Sequence, residues 1–395
     1  MSTTTTATSR GQYLISATEL SIIEKTLPRL GPDEIQVAIK ATTLCGSDIH
    51  YYQHGKNGTI EIQEPLCLGH EAAGEVIAVG PEATYQVGDR VAIECGVPCG
   101  SCELCEEGRY NLCGKLRFRG SGSAKPHFQG TMQKVINHPA AWAHRTSLCC
   151  LQTLTIYRLP SAMSYEEGAL LEPLAVAVHA CRRAQIKPGS SCTVMGAGAI
   201  GLLCAAAARM EGCDKIAIVD ISAERVQFAL ASSFADVGYV VQAGRAKDFE
   251  DSLRIAHSIS SSVQDLQMSN GEALGKTDYT FECTGVPTCL QAAVYVTKSG
   301  GKAMLVGMGT PNHTLPISEA SAREIDIIPT WRYAGCYSRS MEIMESSRRD
   351  ALIPQLSSII THRFNGLERV PDALQMACKP RDDDGNMVIK VALLA

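Results

Sequence analysis

Residues 194–201 read Val-Met-Gly-Ala-Gly-Ala-Ile-Gly, a glycine pattern typical of the point where a strand turns into a helix. Gly196 permits a tight turn, Gly198 lets the backbone approach a pyrophosphate, and Gly201 allows the helix to pack closely on the strand. A pyrophosphate is favoured there because the N-terminus of a helix offers unpaired N–H groups. The pattern predicts a dinucleotide site. A glycine-rich turn in an unrelated α/β sheet is the alternative.

Strands and helices alternate around this turn. The apolar pattern predicts two helices, Ile200–Met210 and Ala223–Ser232. It predicts strands at Ser191–Met195, Lys215–Asp220, Gly238–Val241, Asp278–Glu282, Ala303–Val306 and Ile325–Thr330. Such alternation is typical of a doubly wound parallel sheet, so we predict a Rossmann cofactor domain over residues 176–332.

The second predicted strand ends on an acidic residue that bears on cofactor choice. Asp220 lies nineteen residues after Gly201, where a carboxylate accepts hydrogen bonds from a ribose 2′-hydroxyl and repels a 2′-phosphate. This favours NAD over NADP, although Arg225 lies one helical turn further on. We expect Arg225 to flank the adenosine. The remaining residues that we assign to cofactor binding are Ile200, Val306, Gly307 and Met308.

The first part of the chain has a different pattern of predicted secondary structure. Short strands broken by Gly, Pro and Asp are predicted, for example at Glu34–Lys40, Ala73–Val79 and Arg90–Glu94. This is typical of an all-β barrel with loops between strands. We therefore predict an α/β plus all-β protein: a disordered tail at 1–11, a barrel domain at 12–175 rejoined by 333–395, and the cofactor domain between them.

Four cysteines lie close together at Cys99, Cys102, Cys105 and Cys113. Two successive C-x-x-C steps let one short loop wrap a tetrahedral ion, and the fourth thiolate completes an all-sulfur zinc site. A set of buried small apolar side chains is the plain alternative, and a [4Fe–4S] cluster is the rival metal group. Because a closed site of four thiolates has no vacant position, we predict a structural zinc.

A second, different group of metal-binding residue types is Cys45, His70 and Glu71. One soft ligand and two harder ones, with a coordination position left open, are typical of catalytic zinc. Taken alone, His70 is also compatible with a buried structural histidine and Glu71 with a surface charge. A second, catalytic zinc ion is therefore one of the interpretations that these residues allow.

Composition excludes several partners. The 395 residues carry a net charge of -5, which gives no basic patch for nucleic acid or for an anionic membrane. Seventeen cysteines, mostly scattered among apolar residues, suit a reducing compartment better than a disulfide framework. The first ten residues lack the apolar core of a secretory signal. We expect a cytoplasmic protein that acts on a small molecule.

A family resemblance rests on several of these segments. Gly69-His70-Glu71, followed by Gly74 and Gly80, resembles the zinc signature of the medium-chain alcohol dehydrogenase superfamily. The segment Cys45-Gly-Ser-Asp resembles its first-ligand segment, and the four-cysteine loop resembles its structural zinc lobe. The resemblance covers the chain from about residue 12 and implies a GroES-like catalytic domain, zinc and NAD.

Within that superfamily the chain is most similar to fungal polyol dehydrogenases. Residues 48–52, 108–111, 169–174, 332–333 and 361–364 carry this similarity. It implies that Glu172 and Ser47 take part in catalysis, Glu172 beside the zinc-bound water and Ser47 in a proton relay. It also implies that Tyr51, Arg332 and Tyr333 bind substrate hydroxyls. The implied reaction oxidises a secondary hydroxyl of sorbitol, xylitol or L-arabinitol to a ketose, in a homotetramer.

Two segments depart from the family pattern. Residues 146–158 are an apolar addition, which we interpret as a translated intron or a gene-model error rather than a functional loop. Gly335-Cys336-Tyr337-Ser338 replaces the usual sequence after Arg332 and Tyr333. The second departure leaves open another secondary alcohol as substrate, and the first leaves open a weakly catalytic protein that keeps the fold.

Overall fold

The computed structural model describes residues 7–143, 152–154, 156–242, 244, 246–350 and 353–395. The strands are β1 Thr8–Ser16, β2 Glu19–Thr26, β3 Glu34–Thr43, β4 Lys56–Asn57, β5 Ile60–Glu61, β6 Leu66–Cys67, β7 Glu71–Val79, β8 Arg90–Ile93, β9 Gly96–Val97, β10 Arg117–Phe118, β11 Val135–Pro139, β12 Ala141–Ala143, β13 Gln152–Leu154, β14 Ile156–Arg158, β15 Ser190–Met195, β16 Cys213–Asp220, β17 Val237–Val240, β18 Thr277–Glu282, β19 Thr297–Leu305, β20 Asp326–Pro329, β21 Ile360–Asn365 and β22 Lys390–Leu394. The α-helices are α1 Gly46–His54, α2 Glu103–Glu106, α3 Tyr165–Ala169, α4 Leu171–Ala184, α5 Ala199–Met210, α6 Ala223–Ala231, α7 Phe249–Gln264, α8 Pro287–Val296, α9 Ile317–Ala322, α10 Tyr337–Arg349 and α11 Val370–Ala377. Short 3-10 helices occur at Tyr110–Leu112, Leu356–Ile359 and Leu367–Arg369.

The chain forms two units, the first comprising 1–172 with 357–395 and the second comprising 173–356. The first unit is built on a seven-stranded sheet in the order β14-β8-β7-β3-β22-β21, with β11 also paired to β3. Most of its pairs are antiparallel, as predicted for the barrel domain. Alternate residues of β3, including Ile35 and Val37, point into a closed apolar core. Cys45 follows the end of β3, and His70 and Glu71 lie at the start of β7, so this sheet brings the three residues to the ends of neighbouring strands.

The second unit is a parallel sheet of six strands in the order β17-β16-β15-β18-β19-β20. All five pairings are parallel, and helices connect the strands, so the doubly wound prediction is confirmed. The strand order reverses between β15 and β18, and ligands of such sheets bind beyond the carboxyl ends of strands at that position. Within the described ranges, no helix has both the length and the apolar character needed to cross a membrane.

Two boundaries differ from the predicted ones: the residue at which the chain returns to the first unit, and the residue at which the N-terminal tail ends. The chain returns to the first unit at residue 357 rather than at 333, so α10 belongs to the second unit. Contacts explain this, because Nε of Arg339 on α10 lies 2.9 Å from Oε1 of Glu211 in the same unit. At the other end, residues 8–11 were expected in a disordered tail. They form instead the start of β1, held by pairing with β2.

The apolar addition at 146–158 is partly built into the first sheet. Residues 144–151 and 155 lie outside the described part of the chain. Strand β14 pairs with β8, and Ile156 is fully buried in the same core as Ile93. The last three residues of the addition therefore occupy a sheet position. Strands β12 and β13 pair with each other and, among the described residues, with no further strand; their antiparallel register runs from Ala141 with Leu154 to Ala143 with Gln152.

Candidate metal centres and cofactor site

The four predicted zinc-lobe cysteines converge in the first unit. Their four sulfur atoms all lie within 4.8 Å of one another. Measured separations are 3.5 Å between Cys102 and Cys105 and 3.6 Å between Cys113 and Cys99. A tetrahedral Zn–S₄ site requires sulfur atoms about 3.8 Å apart, so the group fits the ion. Backbone N–H groups of Cys99 and Lys115 each point at the Cys113 sulfur, 3.4 Å away, which stabilises a thiolate.

The second group also converges. One ligand atom from each of Cys45, His70 and Glu71 lies within 4.8 Å of the others. Cys45 immediately precedes α1, while His70 lies just before β7 and Glu71 is its first residue. Gly69 makes this turn possible because its φ is 92° and an added Cβ would lie 2.7 Å from Oγ1 of Thr131. The three donor types suit zinc and fill fewer positions than a closed site.

Asp48 contacts the segments that carry two of these three residues, Cys45 and His70. Its carboxylate accepts the backbone N–H groups of Cys45 and Gly69, each at 3.0 Å, and lies 3.6 Å from Nδ1 of His70. Burial alone raises the pKa of Asp48, but His70 and the two N–H donors lower it overall. A carboxylate beside Nδ1 leaves Nε2 as the metal-facing nitrogen, the usual arrangement of a zinc-bound histidine.

A buried lysine lies on the Glu71 side of the cluster. Nζ of Lys390, the first residue of β22, is 2.7 Å from Oε1 and 2.5 Å from Oε2 of Glu71. Thr43 donates a short hydrogen bond to the same Oε2. Burial alone lowers the pKa of Lys390, whereas Glu71, Cys45 and Glu172 raise it overall, so the ammonium group stays charged.

The other first-unit residues predicted for catalysis and substrate differ in their surroundings. Oγ of Ser47 is 3.5 Å from Nε2 of His70, next to the cluster. Glu172 is buried and close enough to raise the pKa of Lys390. Tyr51 is also buried, and its hydroxyl accepts the backbone N–H of Gly122 at 3.1 Å. The hydroxyl of Tyr51 therefore already has a protein partner.

The glycine turn of the second unit has the predicted form. β15 ends at Met195, and α5 begins at Ala199 with Gly198 as its N-cap residue. An added Cβ at Gly201 would lie 1.8 Å from the carbonyl oxygen of Gly196, so only glycine allows this approach of helix and strand. The first turn of α5 thus presents free N–H groups beyond the strand ends, as a pyrophosphate requires.

Asp220 is held beside this turn. Its Oδ2 accepts the N–H of Ala197 at 2.7 Å and its Oδ1 accepts the N–H of Ser222 at 2.8 Å. Arg225 lies on α6 with its Nη1 4.0 Å from the Cβ position of Gly198. Carboxylate and guanidinium therefore both border the glycine turn.

The later residues predicted to bind the cofactor lie where two glycine-containing segments pass close to each other. The N–H groups of Val306 and Gly307 both donate to the carbonyl of Glu282, at 2.9 and 2.8 Å. An added Cβ at Gly307 would lie 2.4 Å from the nitrogen of Gly285. Met308 follows with its side chain largely exposed. Gly285 and the buried Glu282 that holds it were not predicted.

Arg332 and Tyr333 lie in the second unit, on a segment with two left-handed residues. Arg332 has φ of 49° and Gly335 has φ of 61°. Tyr333 is buried against Tyr337, with ring centroids 5.6 Å apart. Arg182 donates to the carbonyls of Ala334 and Gly335. The segment that departs from the family pattern is thus a packed turn of this unit.

Family comparisons agree with these two units. Residues 31–147 match the alcohol dehydrogenase GroES-like domain, and residues 199–346 match the zinc-binding dehydrogenase domain. Sorbitol dehydrogenase of Arabidopsis thaliana is 36% identical over 96% of this chain and 93% of its own length. L-Arabinitol 4-dehydrogenase of Hypocrea jecorina is 36% identical over 89% of this chain and 84% of its own. Among solved structures, L-idonate 5-dehydrogenase of Escherichia coli superposes with a TM-score of 0.78 at 25% identity, covering 98% of this chain and 99% of its own.

The chain therefore belongs to the zinc-containing medium-chain dehydrogenases, with a GroES-like domain and a Rossmann-type domain. It is a zinc-dependent dehydrogenase of the alcohol and polyol type, an oxidoreductase that acts on CH–OH groups. The match to zinc-binding dehydrogenases supports zinc rather than an iron–sulfur cluster at the four-cysteine site.

Proposed function

We propose that this protein is an NAD-dependent polyol dehydrogenase that oxidises a secondary hydroxyl of sorbitol, xylitol or L-arabinitol to a ketose. The observation that carries the proposal is the convergence of Cys45, His70 and Glu71, in which His70 and Glu71 are buried and Cys45 is partly buried. Relatives named for sorbitol, L-arabinitol and L-idonate support a polyol-type substrate.

The chain's own residues divide the chemistry between them. Cys45, His70 and Glu71 would hold a zinc ion, which would supply the Lewis acid that lowers the pKa of the alcohol. Ser47, 3.5 Å from the ring of His70, is the proposed first group to receive the hydroxyl proton. Glu172, buried beside Lys390, orients the reacting oxygen. Tyr51, Arg332 and Tyr333 are the proposed contacts to the other hydroxyls of the polyol.

NAD rather than NADP is proposed from the position of Asp220. Its carboxylate is fixed by two backbone N–H groups beside the glycine turn. A fixed negative charge there repels a 2′-phosphate and accepts hydrogen bonds from ribose hydroxyls. Arg225 is then left to flank the adenosine. Localisation in the cytoplasm and a homotetrameric state belong to the same proposal.

A substrate panel tests the proposal. The purified full chain is incubated with NAD⁺ or NADP⁺ and with sorbitol, xylitol, L-arabinitol, threonine and simple secondary alcohols, and reduced cofactor is followed by absorbance. We expect turnover of at least one polyol with NAD⁺ and none in the matched Cys45→Ala variant. Turnover confined to simple secondary alcohols would support the second candidate, motivated by the changed segment at Gly335-Cys336. No turnover by protein with bound zinc and NAD⁺ would contradict both.

A further inference from the structure

The contact between Lys390 and Glu71 places a cation against a residue of the catalytic metal cluster. The two side chains are 4% and 1% exposed, and both carboxylate oxygens lie within hydrogen-bond distance of the ammonium nitrogen. Thr43 adds a third hydrogen bond, to Oε2. Both oxygens of Glu71 therefore already have protein hydrogen-bond partners.

The charges around the cluster indicate that this contact affects metal binding by Glu71. As metal ligands, Cys45 and Glu71 would each bring one negative charge, and the ammonium nitrogen of Lys390 lies 2.7 Å from Oε1 of Glu71. A cation in direct contact with a carboxylate withdraws the charge that the carboxylate offers to a metal, and it repels the metal itself. In a buried setting, where screening by water is weak, both effects are large.

Stability of the fold is a poor reason for such a pair. Taking two charges out of water costs free energy that their attraction only partly recovers, and well-packed apolar replacements are often equally stable. The lysine is better explained by its effect on the negative charge that Glu71 offers to a metal.

We propose that Lys390 is a positioning residue that restrains Glu71 from full donation to the catalytic metal, so that this site holds zinc less tightly and stays open to an alcohol oxygen. The inference rests on the proposed role of the Cys45, His70 and Glu71 cluster. It concerns the strength of one ligand and makes no use of the identity of the polyol.

The test is the rate at which zinc leaves the folded protein. Full-length protein is mixed with an excess of a coloured zinc chelator, and release from the two sites is followed as two phases. Cys45→Ala, which removes a ligand of the open site, and Cys102→Ser, which removes one of the closed site, assign the phases. The closed site then acts as an internal reference in every other variant.

Three substitutions separate charge from packing. Lys390→Met removes the charge and the hydrogen bonds, and Lys390→Gln keeps a donor without the charge. Lys390→Arg keeps the charge. We expect release from the open site to slow by about tenfold or more in the Met and Gln variants, and to change by about twofold or less in the Arg variant. Release from the four-cysteine site stays unchanged.

A purely structural role for Lys390 gives the opposite sign. Loss of the ion pair would then loosen Glu71 and speed zinc release, and that result overturns the inference, as does release in the Arg variant that is slowed as much as in the Met variant. The Gln variant keeps the test decisive if the Met variant does not fold. Wild-type protein that binds only the zinc of the four-cysteine site would overturn both this inference and the proposed function. Faster release in a variant that still binds two zinc ions overturns the inference alone.

Discussion

Asp220 and Ala197 are joined by a 2.7 Å hydrogen bond from the backbone N–H of Ala197 to Oδ2 of the carboxylate. This contact links the end of β16 to the middle of the glycine turn after β15. The side chain proposed to select the cofactor therefore also holds the loop that receives its pyrophosphate. One carboxylate takes part in both features of the site.

Replacing Asp220 tests this double role. In Asp220→Ala the ribose acceptor, the repulsion of a 2′-phosphate and the support of the turn are lost together. We expect the dissociation constant for NADH to rise by about tenfold, while that for NADPH changes less, so that discrimination between the two falls. Quenching of protein fluorescence by each nucleotide measures both constants.

The matched control is Asp265→Ala, at an exposed position just after α7. It removes the same charge from the second unit without touching the glycine turn. Equal weakening of NADH binding by both substitutions would show that net charge, and not the position of Asp220, is responsible.

The two zinc sites are expected to differ in what their loss does. Cys45→Ala should lower the zinc content from two ions to one and abolish turnover, with little change in the unfolding temperature. Cys102→Ser should also remove one zinc ion, but because a closed thiolate site supports the fold, we expect the unfolding temperature to fall by about 5 °C or more. Elemental analysis and calorimetry measure both. An equal thermal effect of the two substitutions would contradict the assignment of roles.

Glu94 predicts a pH dependence of stability. Its Oε1 accepts a hydrogen bond from Tyr110 at 2.6 Å and its Oε2 accepts one from Tyr157 at 3.1 Å. Burial, with a smaller contribution from Glu172, raises the pKa of Glu94 from 4.5 to about 7, although the two tyrosines oppose this. The folded protein therefore keeps this carboxyl protonated at pH values where the unfolded chain has lost the proton.

The sign follows from proton counting. Between about pH 4.5 and about pH 7 the folded state binds more protons than the unfolded chain, so the free energy of unfolding falls as the pH rises. The loss from this group amounts to roughly 3 kcal/mol at most. In Glu94→Gln this part of the pH dependence should vanish. Denaturant unfolding at several pH values measures it, with the exposed Glu61→Gln as a control that leaves the slope intact.

Gly201 lies in the second unit at a position that leaves no room for a side chain. A methyl group there would lie 1.8 Å from the carbonyl oxygen of Gly196. We expect Gly201→Ala to displace α5 and to weaken NADH binding by about tenfold or more, while the zinc of the four-cysteine site is retained. Gly244→Ala is the control, because no atom of the described residues lies within 4 Å of its added Cβ. Normal NADH binding by Gly201→Ala would contradict the close packing.

The parts of the molecule that depend on local pattern were predictable. The glycine turn, the helix after it and the alternating strands follow from short-range periodicity, and α5 and β16 were predicted to within two residues. The two metal clusters were predictable because each ligand type is chemically distinctive and most ligands are close in sequence.

Long-range partners were not predictable in the same way. Lys390 lies 319 residues from Glu71, and nothing in its neighbourhood distinguishes it from a surface lysine. Asp48 carried a clearer signal, because it follows Cys45 by one turn of helix. The return of the chain at residue 357 depends on contacts such as Arg339 with Glu211, which join segments with no shared pattern.

The pairing of β12 with β13 has a consequence for how this chain can vary in length. Ala143 and Gln152 are paired residues of two antiparallel strands, so the segment between them begins and ends at neighbouring backbone positions. Residues added or removed between them therefore need not alter the register of β14 on β8. This is the property that makes a position suitable for accepting a foreign peptide, such as an affinity tag or a reporter.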